Sequence, residues 1–262
     1  MKKACLGAVI LFVIASSPVF AELSLTDLTN NDLIKEELLP VAKFMSAGLN
    51  TGIYTPTSGK IFSLGIQAHL IVAETKGVFQ GLPFPGIPLP VYIYAGVRVP
   101  LVGVSFYVRG FYLPVMMGMK VSLFGVGAGW DKRLGPVNLR GVASFNRFSL
   151  DIDQYEAASG SVTTTLSGSV GFNAASVNAF ATLAVIPLFR PYVTFGLSVN
   201  QLALAGDFSV TSGASTENVS QTYSLVTANV HVGAGIQLLK VLTIEAYFLP
   251  LISGSVSLGF AY

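Results

Sequence analysis

Charged residues are scarce in this chain. They make up 11% of its 262 residues, whereas ordinary soluble domains carry roughly 25%. Disordered chains, coiled coils and basic nucleic-acid-binding surfaces all need abundant charge, so the composition excludes these classes and predicts no nucleic-acid partner. Apolar residues reach 52% and the mean hydropathy is +0.66, a composition that raises the possibility of a membrane protein.

Cysteine is almost absent. Cys5, the one cysteine, lies in residues 1–21, which have the order of a secretory signal peptide: Lys2 and Lys3, an apolar run, and small residues closing at Ala21. Cleavage there removes Cys5 and leaves no disulfide, thiol nucleophile or cysteine metal ligand. It also removes two of the 15 basic residues, so 13 remain against 13 acidic ones and the mature chain is neutral.

Long apolar runs are absent too. A membrane helix needs roughly 20 consecutive apolar residues, but the charge-free stretch 157–189 is interrupted by Ser, Thr, Asn and Gly, and residues 77–97 contain four prolines that forbid a regular helix. What recurs is strict alternation of apolar and small or polar residues, as in 226–238 and 62–72. A period of two is typical of strands.

The alternating segments predict an all-β fold, a transmembrane antiparallel β-barrel of about 10 strands, with roughly 8–12 possible. The segment 162–186 could hold two strands. Long connections are expected at 74–90, 150–161 and 207–220 on one rim, with short turns on the other, which is the asymmetry of outer-membrane barrels. The predicted strands lie at about 60–73, 91–99, 102–113, 119–131, 137–149, 162–186, 192–206, 221–238, 241–249 and 253–262.

A soluble β-sandwich would show the same alternation. The solvent-exposed face of a sandwich would carry Lys and Glu, however. The positions between the apolar residues here are mostly Gly, Ser, Thr, Asn or Ala. The composition of both faces therefore favours the membrane barrel.

The last strand resembles the C-terminal signal that outer-membrane proteins present to the barrel-assembly machinery, through Val256, Leu258, Phe260 and Tyr262. The resemblance implies the outer membrane of a diderm bacterium, with the assembly machinery and outer-membrane lipid as partners.

Most of the mature chain also resembles an uncharacterised family of bacterial barrel-like exported proteins. The similar stretches are 39–52, 105–114 with Arg109, 123–127 and 192–196. Where that family often has an aromatic residue after Asn-x-Gly, this chain has Ile53 and Tyr54. The family has no agreed activity, so the resemblance implies fold and location only. A weaker likeness in architecture is to long-chain fatty-acid transporters, which place an N-terminal segment inside the barrel.

If the apolar register faces lipid, a defined polar set lines the interior. A lipid-facing Arg near the midplane costs roughly 2–4 kcal/mol, which favours the interior for the arginines. These side chains either form a constriction that attracts anions or headgroups, or pair internally, Arg with Glu245 or Asp131, to hold a filled barrel. The candidates are His69, Tyr92, Arg98, Tyr107, Arg109, Arg140, His231 and Glu245.

The pairing of the second and third strands follows from their connection. A two-residue turn at Pro100 and Leu101 would place Arg98 opposite Gly103, a neighbour small enough for a long side chain to cross the interior. The same turn would place Arg109 opposite Tyr92.

Two scattered histidines supply neither a Ser-His-acid triad nor, without carboxylates beside them, a metal site. We therefore expect no catalytic residue, no metal, no cofactor and no enzymatic activity. Trp130 lies in the outward register beside Asp131, Lys132 and Arg133, where an aromatic girdle belongs.

Residues 22–57 differ from the barrel, which takes residues 58–262. Asn30 or Asn31 can cap a helix there; Pro40 should kink or restart it, and Gly48 and Gly52 should end it. We interpret this segment as a periplasmic plug or lid; a helix lying on the inner leaflet is the alternative.

The apolar, proline-rich stretch 74–90 suggests that a small hydrophobic or amphipathic molecule is bound or passed. Two other functions stay open. One is a closed structural or surface-interaction barrel, and the other is a lipid-modifying enzyme centred on His69 or His231.

Overall fold

The computed structural model describes residues 31–54, 61–72, 86–116, 119–159, 162–183, 188–212, 215–239 and 241–261. The expected signal peptide, residues 1–21, lies outside these ranges. In the described chain, helix α1 (Asn31–Asn50) precedes ten strands. The strands are β1 (Phe62–Val72), β2 (Gly86–Val99), β3 (Val104–Met116), β4 (Met119–Leu134), β5 (Val137–Ser159), β6 (Val162–Leu183), β7 (Phe189–Ser212), β8 (Ser215–Leu238), β9 (Leu242–Leu249) and β10 (Ser253–Ala261).

The strands form a closed antiparallel barrel in chain order. Closure joins β1 to β10, where Ser63 to Ile71 pair with Ala261 to Ser253. The predicted ten-stranded barrel is confirmed, and 162–186 holds one strand, β6, rather than two.

The two faces of the wall differ as the alternation predicts. On β1, Leu64, Ile66 and Leu70 point outward and are exposed, whereas Gln67 and His69 point inward and are buried. Exposed Leu, Val, Ile and Phe side chains continue around the outside of the barrel. Water would penalise this apolar surface by about 25 cal/mol per Å², whereas a bilayer covers it, so the barrel spans a membrane. Within the described residues, no helix has the length and hydropathy needed to cross a bilayer.

The two rims of the barrel are unequal. The turn rim carries the connections 100–103, 135–136, 184–188 and 239–241. The opposite end is called the extended rim, because β5 to β8 have 22 to 24 residues whereas β9 and β10 have 8 and 9. A membrane strand needs about 9–11 residues, so β5 to β8 continue past the low part of the wall for roughly 40–50 Å, measured along the strands.

The prediction of long loops at 150–161 and 207–220 is wrong. Strands β5 and β6 are joined by residues 160–161, and β7 and β8 by 213–214. Residues 86–90, predicted as loop, also belong to β2. The stretches at 150–161 and 207–220 contain Val, Thr, Tyr and Phe among their polar residues, which favour strands. Polar residues here mark where both faces leave the membrane rather than where pairing ends.

The turn between β2 and β3 is also longer than predicted. It spans residues 100–103 and uses Gly103 at a φ of 67°, a conformation that glycine adopts without steric cost. Arg98 consequently pairs with Ser105, not Gly103, and Arg109 with Tyr94, not Tyr92. The shift is an even number of residues, so every side chain keeps its predicted face.

Helix α1 lies inside the barrel. It is a single 20-residue helix that includes Pro40 and Gly48, so neither residue ends it, and Gly52 adopts a φ of 71° just beyond it. Leu38, Phe44 and Leu49 are buried among inward side chains of the wall. For residues 38–54, a helix on the leaflet surface is therefore wrong.

The direction of α1 follows from two contacts with β7. Tyr54, beyond its C-terminal end, stacks on Tyr192 with ring centroids 4.0 Å apart. One helix turn before that end, Ser46 Oγ lies 3.4 Å from Ser198 Oγ. Moving back along α1 thus means moving forward along β7, so the two run antiparallel and the N-terminal end of α1 is directed toward the extended rim.

Candidate functional site

The chain that leaves α1, residues 49–54, is called the anchor turn. Arg109 on β3 binds it from one side: Nη1 donates to the carbonyl of Thr51 at 2.7 Å, and Nη2 donates to that of Leu49. Nε and Nη2 also donate to Asn146 Oδ1, at 3.1 and 3.0 Å. Arg109 is 2% exposed, and its planar, five-donor guanidinium suits this fan of acceptors.

Glu245 on β9 binds the anchor turn from another side. Its Oε2 accepts the Gly52 amide at 2.7 Å and the Ser255 hydroxyl at 3.0 Å, and its Oε1 accepts the Tyr192 hydroxyl at 2.6 Å. The described structure contains no ion pair between Arg109 and Glu245, so of the two predicted partners for an arginine, Glu245 or Asp131, Glu245 is not paired with Arg109. Each charge is instead satisfied by hydrogen bonds to the plug and the wall.

Two further inward side chains of β1 bind the anchor turn. Gln67 Nε2 donates to the Gly52 carbonyl at 2.5 Å and to Ser257 Oγ at 3.1 Å. His69 Nδ1 lies 2.6 Å from Thr51 Oγ1. The Thr51 hydroxyl donates to the Gly48 carbonyl at 3.1 Å, so the histidine is the donor in the Thr51 contact. His69 thus holds the plug.

At the turn rim, Asp131 forms ion pairs with two arginines. Arg98 Nη1 lies 2.8 Å from Asp131 Oδ2, and Arg140 Nε bonds Asp131 Oδ1. Arg140 Nη1 also donates to the Tyr54 carbonyl at 3.4 Å, and its Cζ lies 4.9 Å from the centre of the Tyr54 ring. The predicted alternative of Arg–Asp131 pairing is therefore observed, and it fixes the end of the anchor turn to the wall.

Aromatic side chains fill the interior next to this ion-pair cluster. Tyr54 packs against Tyr192 and Phe180, with ring centroids 4.0 and 5.4 Å apart. Tyr107, 3% exposed, belongs to the same buried cluster, together with Ile53 and Val142. Aromatic packing thus fills the described part of the interior next to the ion pairs of Asp131.

A glycine makes room for Arg109. Gly125 pairs with Arg109 across the β3–β4 ladder, and a Cβ placed on it would lie 3.1 Å from Arg109 Cγ and overlap Asn146 Oδ1. Gly125→Ala should lower the free energy of unfolding by about 1–3 kcal/mol through overpacking. Urea unfolding in micelles, followed by Trp130 fluorescence, measures this change.

Gly141 provides the matched control for Gly125. A Cβ added there meets no atom within 4 Å, so Gly141→Ala should leave the unfolding midpoint nearly unchanged. Equal midpoint shifts for the two variants would contradict the steric role assigned to Gly125.

Behind α1, on β7 and β8, lies a second polar group. Ser198 Oγ is 2.7 Å from His231 Nε2 and accepts from Asn200 Nδ2 at 3.1 Å. A serine next to a histidine is the start of a nucleophilic site, but His231 Nδ1 has no hydrogen-bond partner among the described residues. The carboxylate that orients the base in a triad is therefore missing there. Nor do the described residues bring three or more His, Cys, Asp or Glu together as metal ligands.

The wall itself is interrupted between β2 and β3. Their ladder ends at Ile93 paired with Gly110, although β2 continues back to Gly86 and β3 on to Met116. The stretch 86–92 pairs with β1 and the stretch 111–116 pairs with β4, but the two do not pair with each other. We call these two stretches the seam. In the same register Pro90 would face Leu113 and Leu89 would face Pro114. Prolines donate no ladder hydrogen bond, which explains why pairing stops here.

An aromatic pair lies at the inner side of the seam. Tyr92 and Phe111 stack with ring centroids 5.6 Å apart and an interplanar angle of 4°. Tyr92 also contacts His69, with ring centroids 4.6 Å apart, and lies 5.7 Å below the Arg109 guanidinium carbon. The seam therefore leads directly to the residues that hold the anchor turn.

The structure brings most of the predicted interior residues into two places. His69, Tyr92, Arg109 and Glu245 surround the anchor turn, whereas Arg98, Tyr107 and Arg140 lie at the turn rim and His231 stands apart behind α1. Asp131 and Asn146, which bind these arginines, were not among the candidates. Their positions in the inward register of the sequence could have identified them. The four stretches behind the family resemblance meet at the anchor turn, since they contain Thr51, Arg109, Gly125 and Tyr192.

The residues of the predicted assembly signal lie on the closing strand. Val256 and Leu258 are outward and exposed, and Phe260 pairs with Leu64 of β1. Tyr262 lies outside the described residues. Trp130 is outward and half exposed. The recognition of this strand by assembly machinery stays a prediction.

Comparison with known proteins adds little. No family model matches the chain, and no curated protein matches it. Among solved structures it is similar to the Ralstonia pickettii toluene transporter TbuX, at 10% identity and a TM-score of 0.31, covering 83% of this chain and 96% of that one. It is also similar to a deltaS2S3 mutant of the TodX monoaromatic hydrocarbon channel, at 10% identity, TM-score 0.38 and coverage of 84% and 76%.

A third similar structure is LpxR from Salmonella typhimurium, at 10% identity and a TM-score of 0.28, covering 75% of this chain and 99% of that one. Such low similarities carry no argument about function. The fold rests on the chain's own strand pairing, and the absence of enzymatic activity stays a prediction.

Proposed function

We propose that this protein is an outer-membrane barrel that takes a small apolar or amphipathic molecule through its wall, while the plug closes the straight path along its axis. The seam between β2 and β3 carries this proposal. It is a loss of backbone pairing between two strands that both continue past it, and the exposed side chains beside it on the outer face include Val91 and Tyr112.

The interior beside the seam suits an apolar guest. Tyr92, Leu123 and Ile71 are buried there together with apolar side chains of α1, and Phe111 packs against them. A molecule entering at the seam leaves lipid and meets aromatic and aliphatic groups, so little desolvation opposes its entry. Ions and sugars would lose their hydration on the same route and are excluded.

A disulfide across the seam tests the proposal in a chain whose one cysteine is Cys5. Val91 and Tyr112 would face each other if the β2–β3 ladder continued. In bacterial cells expressing Val91→Cys with Tyr112→Cys, oxidation should reduce uptake of the apolar probe N-phenyl-1-naphthylamine to that of cells lacking the protein. Reduction with dithiothreitol should restore it.

The matched control pair is Val97→Cys with Phe106→Cys. These residues already face each other in the intact ladder and are likewise outward and exposed. They lie six positions further along each strand, so both sites have the same hydrogen-bonding type. A disulfide there should leave probe uptake unchanged. Uptake that persists with the oxidised seam pair would argue against entry through the wall.

The second candidate function is a closed structural barrel. Burial of Arg109 and Glu245 against the anchor turn favours it, because moving the plug would take the hydrogen bonds to Leu49, Thr51 and Gly52 away from two buried charges. Uptake of N-phenyl-1-naphthylamine that is no greater in expressing cells than in cells lacking the protein would support this alternative.

A further inference from the structure

A polar patch on β7 and β8 has unused hydrogen-bonding capacity. Asn200 Oδ1, Thr227 Oγ1, Asn229 Nδ2 and His231 Nδ1 are all buried atoms without a hydrogen-bond partner among the described residues. Asn200 and His231 are 1% and 0% exposed. Such groups are normally satisfied in folded proteins, so a cluster of them points to a ligand that supplies the missing partners.

These residues form one surface. Asn200 pairs with Thr227 and Ser198 with Asn229 across the β7–β8 ladder, and His231 is the next inward residue on β8. Ser198 joins them, because it bonds both His231 and Asn200. We call these five residues the polar patch.

The polar patch borders an apolar surface on the same strands. The next inward residue on β7 is Leu202, and on β8 the next are Leu225 and Tyr223, all packed with the buried cluster around α1. Polar groups on one side and apolar groups on the other fit a ligand with one polar end.

The polar patch also has an opening. Strand β9 ends at Leu249, which pairs with Val232, so none of the described strands pairs with β8 on that side from Ser215 to His231. Thr227 and Asn229 are accordingly only partly buried. A ligand can reach them over the low wall formed by β9 and β10.

The chemistry of the unpaired atoms indicates the ligand class. They include an amide oxygen, an amide N–H, a hydroxyl and an imidazole nitrogen, that is, donors and acceptors without a fixed charge. A hydroxyl group both donates and accepts, and so matches this set, whereas a carboxylate only accepts.

We infer that the polar patch binds the hydroxyl group of an uncharged amphipathic molecule, an alcohol or a phenol, whose apolar part lies against Leu225 and Tyr223. The inference rests on the proposed function and adds the chemical class of its ligand.

Calorimetric titration of the full-length protein in lipid nanodiscs tests this, with empty nanodiscs as blank. The probes are 1-hexanol, hexane and hexanoate. Hexanol should bind most tightly. Thr227→Val together with Asn229→Ala should weaken hexanol binding about tenfold and leave hexane binding unchanged. Neither side chain forms a hydrogen bond with a described residue, so the double variant should still fold.

The control is Thr222→Val, on the outer face of the same strand, where Thr222 is exposed; it should change none of the affinities. Equal binding of hexanol and hexane, or tighter binding of hexanoate, would overturn the inference and leave uptake through the seam intact. Failure of all three probes to bind would count against both the inference and the proposed function. The uptake assay with the seam disulfide then shows whether the proposed function fails too or only the inference.

Discussion

Replacing Arg109 with alanine is expected to destabilise the barrel by about 3–5 kcal/mol, the range found when one member of a buried charged network is removed. The substitution deprives the carbonyls of Leu49 and Thr51 and the Asn146 side chain of their donor. It also leaves Glu245 as a buried charge without a nearby cation. Urea titration in micelles, with Trp130 fluorescence as the readout, gives the change in unfolding free energy.

Two variants make this result specific. Arg109→Lys keeps the charge but loses the planar fork of donors, so its unfolding free energy should lie between those of wild type and Arg109→Ala. Arg133→Ala removes an exposed arginine at the turn rim and should change stability by less than about 0.5 kcal/mol. Similar losses for Arg109→Ala and Arg133→Ala would refute the role of Arg109 as an anchor of the plug.

Deleting residues 31–48 is expected to convert a closed barrel into an open pore. The anchor turn stays on the wall, but the removed helix has a diameter of about 10 Å with its side chains, and no described strand residue replaces that volume. Proteoliposomes should then swell in glucose and planar bilayers should show steady conductance, whereas the intact protein should show neither.

The control locks the plug in place. Ser46→Cys with Ser198→Cys joins two positions whose hydroxyl oxygens are 3.4 Å apart, and the oxidised protein should remain closed at every voltage applied. Heat-modifiable migration in gels verifies that each variant is a folded barrel. If the deletion leaves swelling unchanged, the strands' own side chains fill the interior and the plug is not the barrier.

Much of the fold could be predicted because alternation is a local property. The period of two assigns each residue to the lipid or interior face, and an even error in register leaves that assignment intact. Arg98 and Arg109 illustrate this, since both keep the interior face although the turn at 100–103 gives them other partners than predicted.

Strand ends and turn lengths were less predictable. Polar residues at 150–161 and 207–220 suggested loops, but pairing continues through them because a strand outside the membrane can carry polar groups on both faces. Pro90 and Pro114 are visible in the sequence. Their position in the same ladder, however, depends on the register of β2 against β3, which the four-residue turn at 100–103 sets.

The sequence by itself determined a neutral, charge-poor barrel of about ten strands, with a helix near its start and a small set of inward charges. Only the tertiary structure decided what those charges do. Arg109, Glu245 and the anchor turn are far apart along the chain, and their contacts depend on barrel closure and on the depth at which α1 lies. Local patterns specify which way a side chain points. Hydrogen-bond partners across a closed interior depend on the position of every strand between them.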